Sequence, residues 1–206
     1  MDNLQHLRQH VQTLLRVDDT PAEDWPLLAL VPKAPQAAWN WLPGVLAGTG
    51  TEWLPHVVSA VDVTALKAGL LLMHDFMDES HGAAQSIEGQ GAGRLGDYWH
   101  AILHRREPDY TNAKYWFRQI GTQSLFGELA RRADQVLTAT TSAPVQEWRQ
   151  PLGCPGRWNP LAFVDLCEAA QQGRTTDLTT VAQTLQRLEM SLLFRQTYRQ
   201  ATGLEA

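Results

Sequence analysis

From Ala65 to Met73 the chain is apolar almost all round, with Lys67 the exception, and from His74 it turns abruptly polar. A helix that is apolar on every side belongs inside a fold, not on its surface. The first half of this segment is therefore expected in the middle of the protein, with the second half opening a polar site beside it. Asp62 or Thr64 can cap its start, and the pattern runs to about His81, where Gly82 closes it. The spacing predicts one continuous helix carrying both halves.

Helical spacing recurs along the rest of the chain. Leu4, Leu7, Val11, Leu14 and Leu15 form an amphipathic stripe that ends before Asp18-Asp19-Thr20-Pro21. The segment from Pro21 to Pro55 is rich in proline and tryptophan (Trp25, Pro26, Trp39, Trp41, Trp53 among them), so it is expected to wrap the body, with one short helix near Pro35–Leu46. Further helices are expected over Tyr98–Glu107 with Asp97 as cap, from Thr111 or Asn112, over Ser124–Thr138, over Leu161–Gln171 behind an Asn159-Pro160 start, and over Thr179–Thr202. Nothing alternates in the manner of a strand. The expected class is all-α: a single-domain helical bundle of about six or seven helices. Residues 1–56 would form the N-terminal helix and wrapping segment, and residues 57–206 the core bundle.

Composition narrows the partners. With 44% hydrophobic and 19% charged residues the chain can bury an ordinary core. Its formal charge of -5 argues against a general nucleic-acid binder, which needs a basic surface to replace counterions. No apolar run, Ala68–Met73 among them, is long enough to span a bilayer, and the N-terminus lacks the continuous apolar stretch of a signal peptide. Cys154 and Cys167 are too few for a disulfide scaffold and lack the pairing of a zinc ribbon. These features lead to the expectation of a cytoplasmic protein.

Four of the seven histidines fall between His74 and Glu107. On one unbroken helix His74, Asp78 and His81 would share a face within about 60°, and His100, His104 and Glu107 would do the same on the next. Two facing helices that donate histidine and carboxylate inward are how bundles build metal sites. The expected ligands are His74, Asp78, His100 and His104, around a divalent zinc, iron, manganese or nickel ion. Glu107 or His81 would handle protons, Arg105 and Arg106 would attract an anionic small molecule, and Asp75 and Glu79 would accept ring N–H bonds or cap the two arginines. A bound ion that acidifies water would make the chain a hydrolase. A metal-free polar pocket and a purely structural network that pins two helices are the competing outcomes, the latter giving a non-catalytic scaffold on whose aromatic surface a partner docks. The glycine-rich stretch Gly89–Gly96 lacks the strand and signature of a phosphate-binding loop.

The segments HDFMDESH, GDYWHAILHRREPDYTNAKYWFRQIG and WNPLAFVDLCEAA resemble an uncharacterised family of bacterial and fungal proteins, over roughly Ala65–Ala201. That resemblance implies a site at His74, Asp75, Asp78, Glu79, His81, His100, His104, Arg105, Arg106 and Glu107, without naming a reaction. The His74-Asp75 pair at the end of an apolar helix also resembles the HD-type metal phosphohydrolases, which would require His56 and a distant aspartate such as Asp134. Asp97–Gly121 is similar to a single tetratricopeptide-type hairpin, with no second copy at a fixed period.

Overall fold

In a computed structural model, which describes residues 2–16, 28–173 and 176–204, the apolar segment forms a helix at the centre. The expected stop at Asp18–Pro21, together with Trp25 and Pro26, lies outside the described residues. Among those that are described, all regular structure is helical: α1 (Asn3–Leu15), a 3-10 turn (Ala37–Trp39), α2 (Leu42–Leu46), α3 (Ala60–Met73), α4 (Met77–Gln85), α5 (Leu95–Arg106), α6 (Tyr110–Ile120), α7 (Phe126–Thr138), α8 (Ala143–Gln146), α9 (Pro160–Gln171) and α10 (Thr176–Thr202). The all-α expectation holds. The short helix expected near Pro35–Leu46 is a 3-10 turn followed by α2, and the helices outnumber six or seven because α8 is an added short turn and because the expected helix through His81 is broken in two. None of the described helices is long and apolar enough to cross a membrane.

Ser59, not Asp62 or Thr64, caps α3, its side chain accepting from Asp62 N. From Val63 onward every α3 residue except Thr64 and Lys67 is buried, as all-round apolarity requires. Its main neighbours are α4, α5 and α10, with α2 touching it more lightly. Where α3 meets α5 the approach depends on Gly69. A Cβ built there would lie 2.6 Å from the indole of Trp99, which is itself fully buried and hydrogen-bonded to Thr197.

The sequence understated α5. The helix begins at Leu95, and all twelve of its residues are buried. Asp97 is not its cap. It accepts from Gly89 N and from Arg94 Nε, closing the glycine-rich loop against the helix start. A fully buried helix with this many polar residues is costly wherever one of them lacks an internal partner. Tyr98 donates to Glu189 of α10 at 3.0 Å, and Arg105 pairs with the same carboxylate at 2.6 Å. Asn159 caps α9 as expected, accepting from Leu161 N and Ala162 N. For α6 the cap is Asp109, not Thr111 or Asn112.

Gly69→Ala is expected to destabilise the protein by about 1–3 kcal/mol through overpacking against Trp99, despite the roughly 1 kcal/mol that alanine gains in helix propensity. Urea unfolding of the two chains checks this; an alanine variant as stable as the parent would show that the indole moves aside.

Candidate functional site

The site is set by a break in a helix. At His74 the α-conformation ends, and Asp75 adopts a left-handed backbone with φ 65°. Carbonyls at a helix end need other donors. Arg106 Nη1 donates to Leu72 O at 2.6 Å, Gln36 Nε2 to Met73 O at 3.1 Å, and Gln36 N to His74 O at 3.1 Å. Arg106 also donates to Asp75 Oδ1 at 2.7 Å, which holds the left-handed residue in place. The chain restarts as α4, pinned back onto α3 by the Ser80 hydroxyl bonded to Ala68 O.

This break overturns the expected stripe of His74, Asp78 and His81. His74 turns toward the N-terminal segment. Its ring stacks on Trp39 with centroids 3.9 Å apart, and its Nε2 lies 3.0 Å from His10 Nε2. Its Nδ1 faces Gln36 Oε1, so Nδ1 carries the proton, and the His74 Nε2 lone pair accepts from His10. Burial, and then the charge of neighbouring imidazoles, pushes His74 down to about 3 and His10 to about 4. Asp78 and Glu79 are exposed on α4 and stand outside the group of potential ligands among the described residues.

What the fold does gather is His81 from α4 with His100 and His104 from α5. One ligand atom from each lies within 4.8 Å of the others. Nitrogens around a tetrahedral ion with bonds of about 2.0–2.1 Å sit roughly 3.3 Å apart, so the three rings are near such an arrangement but somewhat wide of it. His81 is half-buried and meets the other rings edge-on, at 4.7 and 5.4 Å. His100 is 1% exposed and is sandwiched between Trp116 and His104, with centroids at 4.2 and 4.6 Å. Both of its ring nitrogens are buried with no hydrogen-bond partner. Burial, then His104 and His81, lowers its pKa to about 3, so the ring is neutral and retains a lone pair. In His104 burial also lowers the pKa, against the opposing pull of Glu107.

Glu107 is the orienting group. Its Oε2 lies 3.0 Å from His104 Nδ1, while its side chain remains 34% exposed. The expected substrate arginines are corrected outright: Arg105 and Arg106 are 1% and 0% exposed and face the interior. Arg105 is spent on Glu189 and stands over the Phe163 ring at 4.3 Å; Arg106 is spent on Asp75, Leu72 and Ala29. Of the two roles expected for Asp75, capping an arginine is the one observed. The phosphohydrolase pattern does not assemble either, since His56 bonds Thr202 O and Asp134 pairs with Arg149.

Sequence reading missed Asn112, whose Nδ2 lies 3.1 Å from His104 Nε2. It also missed His10, Gln36 and Glu189, which act across large sequence separations and leave no local signal. Asn112 was within reach, because an Asp109 cap one turn ahead places it beside the end of α5. Compared with family models, curated proteins and solved structures, the chain gives no match. Its chemistry therefore has to come from this geometry.

Neutral buried imidazoles make stability depend on pH. An unfolded histidine protonates near 6.5, whereas His74 and His100 in the folded protein resist protonation down to about 3. Their contribution is full above about pH 6.5 and is lost as pH falls from there toward 3. Between pH 7.5 and pH 5 each should cost roughly 2 kcal/mol. Chelator-treated protein unfolded in urea at the two pH values tests this, and stability that is flat or rises on acidification would contradict it.

Proposed function

We propose that His81, His100 and His104 hold one divalent metal ion and that the chain is a metal-dependent hydrolase acting on a small molecule. The observation that carries this reading is His100, a buried imidazole with two unpartnered nitrogens beside two further imidazoles. A buried polar atom left without a partner costs about 1–3 kcal/mol, and a metal ion is the partner that three converging imidazoles suit. Zinc, iron, manganese and nickel all accept imidazole. Three histidines leave further positions open, the feature that separates catalytic from closed structural zinc sites. Such an ion would bring the pKa of bound water to about 7 and supply a nucleophile at neutral pH. Positive charge for an anionic substrate would then come from the ion, since Arg105 and Arg106 are committed to the core.

Glu107, accepting from His104 Nδ1, is the outer carboxylate that fixes the ring and raises its basicity. The proposal sets the centre within a single-domain bundle belonging to the family resembled by the HRREPD and NAKYWFR segments. The unpaired thiols Cys154 and Cys167 suit a cytoplasmic setting.

Metal analysis of protein purified without a histidine tag is expected to find close to one equivalent, retained through gel filtration and lost in His100→Ala. No bound metal, with none taken up on addition, would overturn the proposal. Glu107→Gln should weaken metal binding by about 10- to 100-fold while leaving the helical content intact. The competing scaffold reading draws on the Trp116–His100–His104 stack, which packs like an aromatic core. It expects His100→Phe to be as stable as the parent or more so, with metal content irrelevant.

A further inference from the structure

His104 is held at both ring nitrogens. Glu107 Oε2 lies 3.0 Å from Nδ1, and Asn112 Nδ2 lies 3.1 Å from Nε2. An ionised carboxylate can only accept, so the ring proton sits on Nδ1 and points at Glu107. Nε2 then carries a lone pair, and the Asn112 amide must be turned with its N–H toward it. The reverse amide orientation would move the ring proton to Nε2 and set the Nδ1 lone pair against the carboxylate. Glu107 thereby fixes both the tautomer of His104 and the orientation of Asn112.

The only nitrogen with which His104 can hold an ion is therefore the one Asn112 already uses. One lone pair cannot serve both. Resting on the metal reading above, we propose that Asn112 is a gate on the centre: its amide occupies His104 while the site is metal-free and must withdraw before an ion binds. The local structure permits this. Asn112 is half-buried on the first turn of α6, and its backbone N–H is fixed by the Asp109 carboxylate at 3.1 Å. The main chain is anchored while the side chain turns about its own bonds. His100, with both nitrogens free of partners, has no such gate. Among the three imidazoles, His104 is the one whose ligation is conditional on another residue.

Glu107 and Asn112 touch the same ring and should act with opposite sign. Cobalt(II) titrations of the tag-free full chain, followed by visible absorption, compare the parent with Asn112→Ala, Asn112→Leu and Glu107→Gln. Both Asn112 variants are expected to bind cobalt about two- to tenfold more tightly, the fold-change corresponding to one hydrogen bond no longer broken on binding. Glu107→Gln should bind it more weakly. Circular dichroism checks that each variant is folded. In the parent, which needs no substitution, the Asn112 side-chain amide resonances should shift on adding zinc. A parent that takes up neither metal sinks the centre and the gate together. A parent that binds, with Asn112 variants of equal or weaker affinity or with unmoved amide resonances, overturns the gate alone and leaves the centre standing.

Discussion

The guanidinium of Arg106 is the contact on which the site's geometry rests. It is wholly buried, so its charge needs a counter-charge and its N–H groups need acceptors close by. It finds them at the one place where a central helix has to stop, bonding Leu72 O and Asp75 together with Ala29 O. A buried arginine and a broken helix satisfy each other's unmet bonds. If α3 ran on without a break, its carbonyls would have no use for Arg106 and His81 would not be redirected toward α5. The residue expected to recruit substrate instead turns the segment that carries His81.

Arg105, one position earlier, solves the same problem on another side of α5. It shares Glu189 with Tyr98 and so ties α5 to the long C-terminal helix. Burial holds the Tyr98 hydroxyl well above its usual range and raises Cys167 to about 12, so neither ionises at neutral pH. The two adjacent arginines thus leave α5 in different directions, each toward its own carboxylate. This leaves His100 and His104 on the remaining side, facing α4 and α6. Arg105 Nε and Nη1 and Arg106 Nε are also without partners, but among the buried histidines and arginines of this helix His100 is the one whose side chain makes no hydrogen bond at all, which sets it apart from the structural network around it.

Much of the fold could be read from periodicity, because each helix has to bury a stripe or a whole surface. The α3 segment is apolar all round and is buried, and Asn159-Pro160 starts α9 through the side-chain cap that its chemistry suggests. The break at His74–Phe76 was not legible. Nothing local forbids a helix through HDFMD; it is stopped by Gln36 and Arg106, which lie 38 residues before and 32 residues after His74 in the chain. For the same reason the sequence located the histidine-rich stretch but paired its members wrongly. A helical wheel drawn across a hidden break puts His74 and His81 together, whereas the protein turns one toward Trp39 and the other toward His100.

His10, His74, Gln36, Asp75 and Arg106 form one unbroken run of hydrogen bonds from the N-terminal helix to the end of α5. From His10 to Asp75 every proton faces the same way, since each ring or amide can offer only what its neighbour lacks, and the Asp75 carboxylate closes the run by accepting from Gln36 on one side and Arg106 on the other. The first helix is therefore wired, not merely packed, to the joint that aims His81. Trimming α1 from the chain would leave His74 without its donor and loosen the far end of that wire, more than 60 residues away in sequence, at the threshold of the imidazole cluster.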